Sequence, residues 1–165
     1  MIKYHKRIFK RNDNRNLIIY SRKIHTEKNT QELEITLPSS PHMRWNPSRQ
    51  EWVAYSASRE KRTAFPPKKY CPFCPSGNLN YPTEIPFKNF EIAVFPNRWS
   101  SFNTHNKILE LTEIKTKPAN GQCEIVVYSA EHNDTIAEMT LDRIMLLIQT
   151  WNDRYTELLK RKDIA

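Results

Sequence analysis

Leu141, Ile144, Met145, Ile148, Trp151, Tyr155, Leu158 and Leu159 recur mostly at steps of three and four residues. A helix turns once in about 3.6 residues, so this spacing lines one face and predicts a long amphipathic helix at the end of the chain. Thr135 or Thr140 stands where a side-chain oxygen would cap its first turn. The apolar face is expected to be buried against a sheet. Several short strands followed by one such helix constrain the fold to the α+β class, with an antiparallel sheet.

Four strands are read ahead of the helix. Leu17-Ile18-Ile19-Tyr20 is a short apolar run, and Phe90 to Phe95 is a strand stopped by Pro96. Arg44 to Tyr55 reads as a turn followed by a strand, and Cys123 to Tyr128 as another strand. Leu37-Pro38-Ser39-Ser40-Pro41 is a connector, because its prolines break regular structure on both sides. Residues 1–42 are therefore read as a basic amino-terminal leader and 43–165 as the folded domain. The chain stops at Lys162-Asp163-Ile164-Ala165, where a further core strand is expected, so the reading is of a truncated half-domain.

Only two glycines occur, Gly77 and Gly121, against eleven prolines. Neither a Walker loop nor a dinucleotide fingerprint can be built from isolated glycines, so phosphate binding falls to arginine, lysine or helix ends. The net charge of +8 favours anionic partners: nucleic acid, a phosphorylated metabolite or a membrane surface. Much of the excess lies in Lys3, Lys6, Arg7, Lys10, Arg11 and Arg15, read as a solvated basic segment. No apolar stretch of signal-peptide length follows it, so a soluble, cytoplasmic protein is expected. The odd number of cysteines argues against a disulfide framework.

Cys71-Pro72-Phe73-Cys74 is the strongest local signal. Two thiolates two residues apart can grip one zinc ion, although two unligated thiols in a proline-rich loop is the plainer alternative. The pair is half of a tetrahedral site, and with no second pair in the chain histidine has to complete it. His132, between a strand and the helix, is the best third ligand, and equally an ordinary surface histidine. Cys123 is read as core, and His5, His25, His42 and His105 carry no role. Arg59 and Arg62, three residues apart in one loop, can offer two guanidinium forks to a phosphate, although most charged loops are simply solvated. Asn97 and Arg98 follow a strand. An asparagine there either closes a turn or binds a base or sugar.

Together these motifs resemble the galactose-1-phosphate uridylyltransferases of the histidine-triad superfamily. The resemblance rests on Arg44-Trp45-Asn46-Pro47 with Glu51-Trp52-Val53, then Arg59 and Arg62, Cys71-Pro72-Phe73-Cys74-Pro75 and Thr83-Glu84-Ile85-Pro86. Val94 to Arg98 and the strand from Cys123 to Tyr128 with Ser129 and His132 complete the ordered set, and Phe9 to Tyr20 is similar to the leader of some bacterial members. The resemblance implies uridylyl transfer from UDP-glucose to galactose 1-phosphate through a histidine intermediate. It implies nucleotide or sugar binding by Arg59, Arg62, Asn97 and Arg98, a structural Zn2+ held by Cys71, Cys74 and His132, and a homodimer. Arg98 stands where some members carry an acidic residue. The family's nucleophile and fourth zinc ligand lie in a His-Pro-His motif, which this sequence lacks. An amino-terminal fragment, inactive alone, is the expected state: half of a split enzyme with a separately encoded carboxy-terminal half, or the product of an interrupted gene. A basic zinc-containing nucleic-acid-binding module and an inactive remnant are the alternatives.

Overall fold

The computed structural model describes residues 1–28, 41–57, 59, 66–75, 83–104 and 113–164. Among them are the strands β1 (His5–Lys10), β2 (Asn16–Ser21), β3 (His42–Asn46), β4 (Glu51–Tyr55), β5 (Ile92–Pro96), β6 (Thr116–Pro118) and β7 (Glu124–Val127), and the helix α1 (Leu141–Leu159). Antiparallel strands with one carboxy-terminal helix make the expected α+β architecture. The described residues fall into two compact units. One takes in 1–28, 66–75, 83–95 and 125–157, the other 41–57, 59, 96–104, 113–124 and 158–164.

The first unit is built on a sheet in the order β1-β2-β5-β7. β2 runs antiparallel to β1, with Ile18 opposite Ile8, and antiparallel to β5, with Ile19 opposite Ala93. Side chains alternate across a strand, so the uninterrupted apolar run of β2 demands cover on both faces. It has that cover. Leu17 and Ile19 pack with Ile85, Phe87, Ala93 and Phe95 on one side, while Ile18 and Tyr20 pack with Ile92, Val94, Leu146 and Leu147 on the other. Each fully buried leucine, isoleucine, valine or phenylalanine among them stabilises the fold by about 1.5–3 kcal/mol.

The helix forms where the spacing predicts but buries a different face. Leu141, Ile148, Trp151, Tyr155 and Leu159 are exposed and Ile144, Met145 and Leu158 are half-buried, whereas Leu146, Leu147 and Thr150 are fully buried. The sheet-facing stripe continues from these residues into charged ones. Asp153 accepts hydrogen bonds from Lys6 Nζ at 2.6 Å and from the Tyr20 hydroxyl at 2.5 Å, and Glu157 also accepts from Lys6. A pattern read from apolar residues alone skips positions that dock through charge. Thr140 occupies the cap position, its carbonyl accepting the Ile144 N–H at 3.0 Å.

The early basic residues are only partly solvated, contrary to expectation. Arg11 and Arg15 are 9% and 7% exposed, and Lys6 pairs with Asp153. The alternation of β1 pairs its charged positions with helix acids and loop carbonyls, so composition alone reads it as leader.

The second unit carries a sheet in the order β4-β3-β6. β3 and β4 form a hairpin, a strand on each side of the turn where one strand was expected. Asn46 Oδ1 accepts the N–H groups of Ser48 and Arg49, and Gln50 takes a left-handed φ of 53° to finish the turn. Trp45 faces Trp52 across the hairpin, ring centroids 5.5 Å apart.

Candidate functional site

The cysteine loop is held from behind by short-range geometry. A 3-10 turn at Lys68–Tyr70 leads into Cys71, whose N–H donates to the Lys68 carbonyl at 3.3 Å. The segment after the turn is tied to residues 83–85. The Glu84 N–H donates to the Pro72 carbonyl at 2.8 Å, the Thr83 hydroxyl donates to the Cys74 carbonyl at 2.6 Å, and Pro75 bridges to Ile85.

His132 arrives from the opposite direction, in the turn between β7 and the helix. Ser129 Oγ accepts the Glu131 N–H at 3.1 Å. Arg143, on the first turn of α1, donates to the Tyr128 carbonyl at 3.2 Å and to Asp134 Oδ2 at 2.8 Å. Asp134 is held below the usual carboxylate range by hydrogen bonds from Ser129 and Arg143. The helix therefore fixes the turn that carries the imidazole.

Cys71 Sγ, Cys74 Sγ and a ring nitrogen of His132 lie within 4.8 Å of one another, and Cys74 Sγ stands 3.2 Å from His132 Nδ1. Two thiols and an imidazole are the donor set a zinc ion prefers, and ligand atoms around tetrahedral zinc stand about 3.5–4 Å apart. The set fits such an ion with one coordination position to spare. All three residues are partly buried, beside a cavity of about 250 Å³ that β7 lines with Ile125, Val126 and Val127. Burial, together with the hydrogen bond and charge of Cys71, pushes the Cys74 thiol up to about 11. A cation is what would draw its proton off at neutral pH.

The structure thus brings together the three residues read as metal ligands. The residues read as nucleotide-binding divide differently. Arg62 lies outside the described residues. Arg59, exposed in the second unit, donates from Nη1 to Ser101 Oγ at 3.1 Å. Asn97 donates its N–H to the Cys123 carbonyl at 2.8 Å, and its Oδ1 accepts the Trp99 N–H at 3.0 Å, closing a turn. The Arg98 guanidinium lies over the Trp99 ring, 3.8 Å from its centroid. Cys123, expected in the core, is a half-buried free thiol.

Sequence reasoning gave no role to Thr83, Glu84, Arg11 or Arg15, which support the cysteine loop. The one available signal was a glutamate set directly before the apolar run Ile85-Pro86-Phe87.

Comparison with known proteins gives the same direction. A family model described as galactose-1-phosphate uridyl transferase, N-terminal domain, matches residues 15–165. The galactose-1-phosphate uridylyltransferase of Thermotoga maritima is 34% identical over 119 residues, covering 70% of this chain and 36% of that protein. Its counterpart from Streptomyces lividans is 26% identical over 149 residues, covering 88% of this chain and 37% of that protein. That of Saccharomyces cerevisiae is 25% identical over 145 residues, covering 72% and 38% respectively. No solved structure matches. The chain spans little more than a third of the length of these curated relatives. With nearly all of its length matched, it belongs to the galactose-1-phosphate uridylyltransferase N-terminal domain family.

Proposed function

We propose that this chain is the amino-terminal part of a cytoplasmic UDP-glucose–hexose-1-phosphate uridylyltransferase, and that it holds one structural zinc ion through Cys71, Cys74 and His132. The observation that carries this is the convergence of those three donors within 4.8 Å, in a chain whose family is known. Bound there, zinc would tie the cysteine loop to the turn that opens α1, a cross-link rather than a group that polarises substrate.

The reaction is a double displacement between UDP-glucose and galactose 1-phosphate. A neutral imidazole attacks the α-phosphorus of UDP-glucose, and the bond to glucose 1-phosphate breaks as the uridylyl bond to histidine forms. Galactose 1-phosphate then takes the uridylyl group from that histidine. In this reading the Arg59 and Arg62 guanidinium groups steady the diphosphate oxygens, with Asn97 and Arg98 contributing to substrate binding. None of the five histidines lies in a His-Pro-His motif, so the nucleophile is assigned to residues other than these 165, and the whole enzyme is a homodimer in the manner of the family.

Two measurements on the purified chain test this. Native mass spectrometry is expected to find one zinc per chain, removable by chelator; a chain that takes up no zinc at micromolar concentration would sink the metal assignment. A uridylyl-exchange assay is expected to show no turnover, and turnover clearly above background overturns the assignment of the nucleophile to residues other than these 165.

A further inference from the structure

Glu84 is 2% exposed, and its carboxylate receives Arg11 Nη1 at 2.6 Å and Arg15 Nη2 at 2.9 Å. Arg11 Nη2 also donates to the Glu84 carbonyl at 2.8 Å. Both arginines come from one tight turn between β1 and β2. The Arg11 N–H donates to the Arg15 carbonyl at 3.0 Å, Asn14 takes a left-handed φ of 62°, and Asp13 pairs with Arg15 at 2.7 Å. Burying these charges is a poor route to stability, since desolvation offsets much of the mutual attraction. Forked guanidinium pairing does something else well: it fixes a carboxylate, and the backbone bearing it, in position and angle. The backbone so fixed is the one that grips the cysteine loop at Pro72, Cys74 and Pro75.

We propose that Glu84 and Thr83 are positioning residues for the Cys71/Cys74 thiol pair. The ion network at the β1–β2 turn sets residues 83–85, these set the carbonyls of Pro72 and Cys74, and the two sulfurs are aimed together before an ion arrives. His132 is placed independently through Arg143, so the network acts on the thiol half of the site. The metal arm of the test rests on the zinc reading given above; the thiol arm does not.

The full-length chain is titrated with Co2+, read by thiolate-to-cobalt absorption, and separately with phenylarsine oxide, which bridges two thiols without any metal. Glu84→Gln and Thr83→Val are each expected to weaken both by about tenfold, the effect of losing an outer-shell support. Thr83→Val leaves the ion network whole and decides the matter if Glu84→Gln fails to fold. Asp153→Asn, which loosens the helix on the other face of the sheet, is the control for lost stability and is expected to leave the arsenical affinity, which does not involve His132, unchanged. Full arsenical affinity in folded Glu84→Gln or Thr83→Val overturns the proposal, as does a wild-type chain that cannot bridge its thiols with arsenic. Wild-type capture of arsenic without Co2+ sinks the zinc reading instead, and the arsenical affinities of the variants still decide the positioning role.

Discussion

Cys74 Sγ meets His132 Nδ1 at 3.2 Å although 58 residues separate them in the chain. One comes from a turn that the segment at 83–85 holds in place, the other from a turn held by the helix. A metal bridging them would link two parts of the first unit that no strand pair joins among the described residues.

Zinc binding should release protons. The Cys74 thiol, raised to about 11, is protonated at neutral pH, and only thiolate ligates zinc. Adding zinc to the metal-free chain in weak buffer at pH 7 should therefore acidify the solution. Cys74→Ala should release fewer protons and bind at least tenfold more weakly; equal release in the variant would show that Cys74 is not a ligand.

The contact of Asp153 with Lys6 and Tyr20 should make stability fall in acid. Burial works against the Asp153 charge, but hydrogen bonds from Lys6 and Tyr20 and the nearby positive charges prevail, so its carboxyl is lowered. Glu157 is lowered in the same way, burial being outweighed by Lys6 and Arg154. A carboxyl depressed by folding stabilises above its unfolded value of about 4 and loses that contribution as pH drops through the folded value. Urea midpoints followed downward from pH 5 should fall in the wild type. In Asp153→Asn they should start lower, for a loss of about 1–2 kcal/mol in unfolding free energy, and fall less steeply. Parallel curves would show that this carboxylate does not carry the acid sensitivity.

The two faces of α1 should respond unequally to truncation. Leu147 is 1% exposed and Ile148 is 47% exposed. Leu147→Ala should lose about 2–5 kcal/mol through the cavity it leaves, and Ile148→Ala no more than about 0.5 kcal/mol. Denaturant melts of the two variants side by side measure this; equal losses would return burial to the face that apolar spacing selects.

Asn97 can be separated into a turn residue and a binding residue. Asn97→Asp keeps the oxygen that accepts the Trp99 N–H and so should melt like the wild type. It replaces the amide with a negative charge, and UDP binding by calorimetry should weaken by at least tenfold beside a phosphorylated ligand. Unchanged UDP affinity would leave Asn97 with the turn alone.

The sequence by itself determined what local rules can reach. The apolar run Leu17–Tyr20 reads as a short strand, the spacing after Thr140 as a helix, and Cys71-Pro72-Phe73-Cys74 as two thiols able to grip one ion. Tertiary structure decided the rest. Which face of α1 is buried depends on Lys6 and Tyr20 reaching Asp153, and whether His132 is a surface residue or a ligand depends on where Arg143 holds its turn. Arg11 and Arg15 read as solvated charge until Glu84, far along the chain, supplies the carboxylate between them. Periodicity and short motifs record what a segment does alone, whereas a buried charge is stable only with a partner, and the partner's identity is fixed by the fold.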